Sequence, residues 1–474
     1  MPRASLAFEH WEREQAGEPE KILVNMYGEV DRTNPNRDKR LVTTPGTMDR
    51  DTGDVVQGNI RCLAQADAFA SGKLLILDGT TLRTRTVGGT WGTITGTVTG
   101  TDRADVAISQ TELAILSGGV VYVSSGSTIA AATDVDFPTG ITSVAVMSQR
   151  LLMTAADGKF WFSSVLDFDD LTGLYFYTAE AAPDNLIAVR VWAETALMFG
   201  TSTLELLFAD PSNANDPFSR ASSVVPVGCK ARDTIAITSK GPVWVSPEND
   251  VVALAGVEAP PISPPWLSRL IAAETASDLI ASTYKAEGHE FYCLNGLGFC
   301  AVLTLTGVAA GEWHLRKTLS SNTWAWVRIL TAGGKQYVSK RTGAAFMELS
   351  RDYPTDEQAD ASTMGNDIVR EGTAHVPVAM GTQPLGTVIL ESSRGVARAS
   401  GDGSDPVCQM RLSFDQGNTW TSFRDRKTGV AADYGQRSVW HRCGTAKRPQ
   451  AIMHFKVSEP IKFAIEGVSW GETV

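Results

Sequence analysis

Two local clusters of carboxylates are the first residues whose type and spacing could support catalysis, because paired Asp and Glu side chains act as acid and base in glycoside hydrolysis. The clusters comprise Asp167, Asp169 and Asp170, and Asp356, Glu357 and Asp360. Glycosidases assemble their catalytic pairs from distant parts of the chain, whereas carboxylates close together in sequence are typical of solvated turns. We therefore expect a structural role for both clusters.

Metal and phosphate chemistry would require other patterns. The chain has no G-x-x-x-x-G-K-[ST] loop for phosphates and no H-E-x-x-H pair for zinc. Its histidines lack metal-ligand spacing, and they are His10, His289, His314, His375, His441 and His454. The sequence therefore predicts no metal site, no cofactor and no catalytic residue.

Residues 413–420 read SFDQGNTW and match the turn motif S-x-D-x-G-x-T-W, an Asp-box. Ser and Asp side chains can bond neighbouring backbone amides, glycine takes the positive φ of a tight turn, and tryptophan anchors the next strand. The motif residues are Ser413, Asp415, Gly417, Thr419 and Trp420. The box is common in β-propellers and β-sandwiches. Sialidases carry several copies and this chain one, so the box indicates β-structure rather than glycosidase activity.

An aromatic set could form a platform for carbohydrate, and it comprises Trp161, Phe162, Tyr175, Phe176 and Tyr177. These residues lie in strand-like runs, in which alternate side chains point into the core. We expect core packing for this set.

The composition is that of a globular β-protein. Of 474 residues, 43% are hydrophobic, and 43 glycines with 12 tryptophans fit short strands joined by tight turns. We expect buried thiols of a reducing compartment at Cys62, Cys229, Cys293, Cys300, Cys408 and Cys443. No signal peptide or membrane span is recognisable, so a soluble protein made in a cytoplasm is expected.

The net charge of -11 opposes non-specific binding to nucleic acid, which needs clustered Lys and Arg. From Arg411 onward, ten Lys and Arg stand against six Asp and Glu, so a mildly basic segment follows an acidic body. This asymmetry is compatible with ordinary surface variation or with docking of an acidic partner.

Short apolar runs that end in Gly, Asp or Asn turns begin at residues 73, 112, 150, 196, 241, 289 and 334. Their starts lie 38 to 48 residues apart, close to the period of four-stranded propeller blades. The repeats predict an all-β protein with a propeller of six or seven blades and little helix. Because no residue recurs at a fixed place, an array of β-sandwiches remains an alternative.

The chain divides into three predicted parts. Residues 1–50 form an N-terminal arm and first strands, residues 51–350 the propeller, and residues 351–474 a β-rich module that contains the Asp-box and completes or decorates the propeller. Helices are predicted only for residues 5–15 and 266–281, the latter after a proline cluster.

The chain resembles the packaged-DNA stabilisation proteins of short-tailed phages, also called tail hub or tail nozzle proteins. Near the N-terminus, residues 25–29 are similar to the family's N-x-Y-x-E element and residues 44–46 to its T-P-G turn. Gly28 stands where proline is common, and Gln416 of the Asp-box where glycine is frequent. Further similar blocks lie at residues 136–138, 162–167, 178–180, 183–184, 199–205, 216–218, 228–231 and 439–442.

The resemblance implies a virion structural protein and no enzyme. It implies a ring, with six subunits, of β-propeller proteins below the portal and its adaptor. The ring extends and closes the DNA channel, retains the packaged genome, and serves as a platform for tail fibres or spikes. Its implied partners are itself, the adaptor or connector ring, fibres or spikes, a plug or needle protein, and double-stranded DNA in passage. It would be made in the host cytoplasm.

Two polar loops are candidate constriction or partner-contact segments, namely residues 88–102 and 353–367. The candidate lumen or partner residues at the second loop are Asp352, Asp356, Asp360 and Asp367. Two other functions remain open: a propeller glycosidase of the sialidase type, and a glycan-binding tail module without turnover. Release of sugar from sialylated or capsular oligosaccharides would distinguish the first, and glycan binding by the isolated chain the second.

Overall fold

The computed structural model describes residues 1–15, 18–29, 39–51, 53, 55–171, 176–178, 184–210, 217–305, 311–378 and 381–471. Five residues singled out in the sequence lie outside these ranges, namely Tyr175, Ala179, Glu180, Pro183 and Asp216. The chain forms two compact units. Unit 1 comprises Met1–Asp49, Lys285–Ala325 and Glu348–Val474, and unit 2 comprises Arg50–Tyr284 and Trp326–Met347. The three-part division expected from the sequence stays a prediction.

Strands dominate both units. The strands of the first half of the chain are β1 Ser5–Leu6, β2 Leu23–Val24, β3 Met26–Glu29, β4 Arg40–Thr43, β5 Gly46–Asp49, β6 Ile60–Gln65, β7 Leu74–Asp78, β8 Thr81–Arg85, β9 Trp91–Ile94, β10 Asp105–Ile108, β11 Leu113–Ser117, β12 Val120–Ser124, β13 Ile129–Ala131, β14 Ile141–Met147, β15 Arg150–Ala155, β16 Lys159–Phe162, β17 Phe176–Thr178, β18 Leu186–Trp192, β19 Thr195–Gly200, β20 Leu204–Ala209 and β21 Phe218–Arg220. Those of the second half are β22 Ala236–Thr238, β23 Gly241–Val245, β24 Val251–Ala253, β25 Ile280–Ala286, β26 His289–Asn295, β27 Cys300–Thr304, β28 Trp313–Leu315, β29 Trp326–Ala332, β30 Lys335–Lys340, β31 Phe346–Ser350, β32 Thr355–Asp356, β33 Asn366–Asp367, β34 Arg370–Pro377, β35 Thr382–Pro384, β36 Thr387–Ser392, β37 Val407–Ser413, β38 Arg424–Lys427, β39 Ser438–Trp440, β40 Thr445–Lys447, β41 Gln450–Val457 and β42 Ala464–Gly471.

Unit 2 is a succession of small antiparallel sheets, which is the architecture of propeller blades. Four sheets have four strands each, β6–β9, β10–β13, β14–β17 and β18–β21, and β22–β24 form a three-stranded sheet. A further sheet contains β29, β30 and the first residues of β31. Six of the seven predicted repeat segments coincide with the second strands of these sheets: β7, β11, β15, β19, β23 and β30. The predicted all-β propeller class is confirmed.

The first strand of four of these sheets carries a β-bulge near its start. The register shifts between Ile60 and Cys62 in β6, and the same shift recurs at the second position of β14, β18 and β29. A bulge places one extra residue on the strand and re-aims its side chain. The extra residues are Arg61, Thr142, Ile187 and Val327, two of which line the cavity described below.

Unit 1 contains two larger sheets and two small two-stranded sheets. One sheet includes the order β26-β27-β28-β2-β34-β41-β37-β38, with β1 also paired to β34, and the other has the order β3-β4-β42-β36-β39. Side chains from both sheets share one core, which includes Leu41, Val388, Met453, Phe455 and Ile465. The two-stranded sheets are the hairpin β32–β33 and the antiparallel pair β35–β40, whose strands lie far apart in sequence.

Helix is confined to short segments. Helix α1 spans Pro265–Ala273, with Pro264 as its N-cap and a proline in its first turn. The helix predicted for residues 266–281 is therefore right only in its first half, because a 3-10 turn (Ala276–Asp278) and β25 follow. None of the helices in the described ranges has the length and apolar character that a membrane span requires.

The helix predicted for residues 5–15 is wrong. Ser5 and Leu6 form β1, in which they pair with His375 and Ala374 of β34. The segment continues in extended contacts, since the amide of His10 donates to the Trp313 carbonyl at 2.7 Å. Strand pairing has outweighed the local helix propensity of this segment.

All six cysteines are buried free thiols. Burial raises the pKa of Cys62 to about 11 and the pKa of Cys229 and Cys300 to about 12. These thiols are therefore protonated near neutral pH and pack as small apolar groups.

Candidate functional site

Two of the sequence blocks that carry the family resemblance meet in one turn of unit 2. The Asp184 carboxylate accepts hydrogen bonds from the Ser202 amide at 2.9 Å, from the Thr203 amide at 2.8 Å and from the Thr201 hydroxyl. Although burial raises the pKa of Asp184, these bonds hold it below its usual value. A Cβ at Gly200 would collide with the same carboxylate. Asp184 therefore holds the turn at residues 200–203, and this contact links the block that contains Asp184 to the block at residues 199–205.

Two further blocks of the resemblance have structural roles in unit 1. Asn25 has a positive φ of 54°, and its side-chain amide donates to the carbonyls of Lys317 at 3.0 Å and Val369 at 2.8 Å. A Cβ at Gly46 would collide with the Thr355 carbonyl. The N-x-Y-x-E and T-P-G elements therefore join distant parts of the chain rather than perform chemistry.

The Asp-box forms a closed turn after β37. The Ser413 hydroxyl accepts the Gly417 amide at 2.7 Å, and the Asp415 carboxylate accepts the Thr419 amide at 2.8 Å and hydroxyl at 2.6 Å. Gly417 has a φ of 95°, where a Cβ would lie 2.6 Å from a Glu20 carboxylate oxygen. Trp420 stacks with the guanidinium of Arg411 at 4.5 Å. Each polar group of the motif serves the turn.

The acidic loop at residues 353–367 contains the hairpin β32–β33, and two of its candidate residues are exposed. Asp352 pairs with Lys462 at 2.7 Å, with both side chains more than half exposed. Asp360 accepts the amide and hydroxyl of Ser362 at 2.7 and 2.6 Å and the amide of Thr363 at 2.8 Å. These bonds lower the pKa of Asp360 to about 2. Both carboxylates therefore carry full charge at the surface.

The other two candidates of this loop face inward. Asp356 is 3% exposed, and burial raises its pKa to about 6. Its carboxylate accepts a hydrogen bond from Thr47 Oγ1 at 3.3 Å. Asp367 is half-buried, which raises its pKa against the opposing charge of Arg370. Of the four candidate carboxylates, Asp352 and Asp360 are therefore the two that are exposed.

The remaining motif residues of the sequence lie in turns and strands. Asp169 accepts the amide and hydroxyl of Thr133 at 2.6 and 2.7 Å. Phe162 is buried, whereas Trp161 is half-buried and packs on Phe176 with ring centroids 4.9 Å apart. The predicted loop at residues 88–102 includes β9 (Trp91–Ile94). Among the described residues, no group of three or more His, Cys, Asp or Glu could hold a metal ion.

Unit 2 contains a cavity of about 270 Å³ that is open to solvent and that the sequence did not indicate. It is lined by first strands of several sheets, and these contribute side chains from β6, β10, β18, β22, β25 and β29. First strands surround the axis of a propeller, so the cavity is axial. Its volume is slightly below the roughly 300–1,000 Å³ of pockets that hold small ligands.

Arginines dominate this axial cavity. Its lining includes Arg61, Arg103, Arg190 and Arg328 but only one carboxylate, Asp233. Isolated arginines in separate strands form no motif, so sequence reasoning missed them. The four arginines occupy different positions in or beside their strands, so no local sequence signal could have pointed to them.

Unit 2 thus defines the chain as a β-propeller protein with a charged axial cavity. The chain belongs to the family described as bacteriophage P22 Gp10, beta-propeller, whose model matches residues 12–297, more than half of the chain. The resemblance drawn from the sequence is confirmed, and with it a structural role in the phage tail and a place in the virion.

Comparison with curated proteins gives no match. Similar solved structures include PorZ, described as a surface component of the type-IX secretion system of Porphyromonas gingivalis, at 12% identity and a TM-score of 0.40 over 78% of this chain. The chain spans 45% of the PorZ chain. BBS1N in complex with ARL6DN is similar at 11% identity and a TM-score of 0.39, over 62% of this chain and 94% of that chain. YCF48 bound to D1 peptide is similar at 10% identity and a TM-score of 0.36, over 76% and 100%.

Proposed function

We propose that six copies of the chain form the ring-shaped nozzle, or hub, of a short-tailed phage tail. The ring lies below the portal and its adaptor, extends and closes the DNA channel, retains the packaged genome, and holds fibres or spikes and a plug or needle protein. The chain acts without enzymatic activity and is made in the host cytoplasm. The observation that carries this proposal is the family match across residues 12–297.

The size of the axial cavity supports a channel formed between subunits. The major groove of B-DNA alone is about 12 Å wide and 8.5 Å deep. A cavity of about 270 Å³ cannot pass a duplex of that size. DNA must therefore travel through the centre of a ring of chains and not through a single propeller.

The net charge of the chain supports passage of DNA through the channel without tight binding to its wall. Tight binding of DNA requires cations that neutralise phosphates and release counterions. At a net charge of -11, a ring of these chains repels the phosphate backbone on average. A duplex can then slide past the wall, and closure of the channel must come from steric constriction or from a plug.

Asp352 and Asp360 are the carboxylates that we propose for the lumen or for a partner contact, because both are exposed on one acidic loop. Exchange of both for Lys should slow DNA ejection from intact virions if the loop faces the lumen, since added cations hold phosphates. The double variant Asp67→Lys with Glu248→Lys is the matched control, since it changes the net charge by the same amount at exposed positions of unit 2. Ejection kinetics equal to wild type in the loop variant would remove the loop from the lumen, as would equal slowing in the loop variant and in the control.

The decisive experiment compares virus particles made with and without this chain by electron microscopy and DNA quantification. The nozzle proposal requires that particles lacking the chain show truncated tails and lose packaged DNA. Particles that keep both tail and DNA but fail to attach to the host, or to digest its glycan, would favour a glycan-binding or glycosidase role.

A further inference from the structure

The axial cavity of unit 2 collects more positive charge than its own carboxylate neutralises. Four arginines and one aspartate line it, which leaves an excess of three positive charges within about 270 Å³. The neighbouring Arg232 and Asp105 add one charge of each sign and leave this excess unchanged. Charge that is largely withdrawn from water is costly unless it is paired, so the excess favours a counter-charge from outside the chain.

Two of the four arginines are held by the protein in defined positions. Arg61 donates to the carbonyls of Asp102 at 2.8 Å, Gly79 at 3.1 Å and Val98 at 3.2 Å. Arg190 forms an ion pair with Asp105 at 3.0 Å. These bonds fix the guanidinium groups before any ligand arrives, which lowers the entropic cost of binding.

The other two arginines retain donor capacity. Arg103 contacts Asp233 at 3.4 Å, a long ion pair, and Asp233 is shared with Arg232. Arg103 also donates to the carbonyls of Leu279 at 3.2 Å and of Ser277, so two of its five N–H donors remain for a ligand. Arg328 donates to the Lys340 carbonyl at 2.8 Å, and no carboxylate of the described chain lies within ion-pair distance of it. Burial, followed by the charge of Arg103, lowers the pKa of Arg328 to about 10, so it remains a cation at neutral pH.

We propose that this axial cavity binds a compact oxyanion, inorganic phosphate or a small molecule with an equivalent group, through Arg103, Arg190 and Arg328. Guanidinium groups match the oxygens of phosphate with paired N–H donors. The side chains of Arg103 and Arg190 are 18% and 19% exposed, so solvent reaches the site. The cavity admits a free anion but not a duplex, which favours a diffusible ligand over the DNA backbone.

The test uses the full-length chain with inorganic phosphate, and sodium chloride at matched ionic strength as the salt control. We expect saturable heat in isothermal titration calorimetry and a rise of the unfolding midpoint with phosphate but not with chloride. Arg328→Met should weaken phosphate binding about tenfold or more, since it removes charge-assisted hydrogen bonds. In sodium chloride the unfolding midpoint of Arg328→Met should not fall below that of wild type, because the exchange removes a cation from a cationic cluster.

Two further variants keep the proposal falsifiable. Asp233→Asn should tighten phosphate binding, since it removes the one lining carboxylate that competes for Arg103. Arg437→Met, at an exposed position of unit 1, should bind as wild type does. Absence of saturable phosphate binding would overturn the site, as would equal affinity in wild type and Arg328→Met. A short DNA duplex whose binding is lost in Arg328→Met would overturn the diffusible ligand in favour of the DNA backbone.

Discussion

Asp105 in unit 2 and Asp356 in unit 1 are both buried carboxylates, yet their pKa values are shifted in opposite directions. Burial alone would raise both. It prevails at Asp356, whose pKa rises to about 6. At Asp105, Arg190 and Arg232 outweigh burial and hold the pKa below its ordinary value.

The difference lies in where the neighbouring arginines direct their donors. Arg316 and, more weakly, Arg370 act against burial at Asp356, and Arg370 donates elsewhere: to the carbonyls of Pro354 at 2.9 Å and Glu459 at 2.8 Å and to the Thr43 hydroxyl at 2.6 Å. Arg190, in contrast, donates directly to Asp105 at 3.0 Å. A buried arginine neutralises a carboxylate only when its donors point at it. Arg370 of unit 1 therefore ties backbone segments together, whereas Arg190 of unit 2 neutralises a carboxylate.

The largest effect is expected at Asp105. Asp105→Asn should destabilise the protein at pH 7 by about 3–5 kcal/mol, because it leaves Arg190 and Arg232 buried with less compensation. Since the folded pKa of Asp105 is depressed, its contribution is present above the unfolded pKa of about 4 and is lost as pH falls through the folded value. Urea unfolding followed by tryptophan fluorescence at pH 2–7 measures this loss. Wild type should converge with the variant in acid, and a constant difference at every pH would contradict the proposed charge pairing.

Asp356→Asn should have the opposite sign. The folded pKa of about 6 lies above the unfolded value, so the favourable contribution of Asp356 is present below about pH 4 and is lost as pH rises through 6. The variant should therefore be more stable than wild type at pH 7 by about 3 kcal/mol. The same unfolding series gives the difference at each pH. A variant less stable than wild type at pH 7 would show that Asp356 is an ion-paired carboxylate like Asp105.

The sequence predicted the propeller because its strongest signal coincides with real elements. All five residues of β7 and of β11 are buried, so these second strands read as continuous apolar runs. The bulges of the first strands leave no such pattern, and with them the arginine cavity escaped prediction. The sequence predicts an exposed acidic loop at Asp356 because its contact with Thr47, a residue far away in sequence, leaves no local signal. Local composition indicates charge, but only tertiary contacts decide whether water reaches it.

Thr47→Val tests the hydrogen bond that the Asp356 carboxylate accepts in unit 1. The Thr47 hydroxyl donates to Asp356 at 3.3 Å and accepts the Glu357 amide at 2.8 Å. Loss of this hydroxyl should lower the free energy of unfolding by about 1–2 kcal/mol. It should also raise the pKa of Asp356 further, since a hydrogen bond to the charged form disappears. Thr44→Val is the matched control, because the Thr44 hydroxyl donates to the Asn25 carbonyl at 3.2 Å instead. Only Thr47→Val should move the pH window of stability upward, and an equal movement in both variants would contradict a specific contact.

Asp360 provides the smallest expected effect and the clearest test of why Asp105 matters. Each of these carboxylates accepts four hydrogen bonds: Asp105 from Val106, Ser143, Val144 and Arg190, and Asp360 from the amides and hydroxyls of Ser362 and Thr363. Asp360 lies at the surface, however, where water replaces a lost protein hydrogen bond. Asp360→Asn should therefore leave the urea midpoint within experimental error of wild type. If it destabilised the protein as much as Asp105→Asn, the hydrogen bonds would set the energy at both sites, and neither burial nor the arginine charges of unit 2 would be needed to explain Asp105.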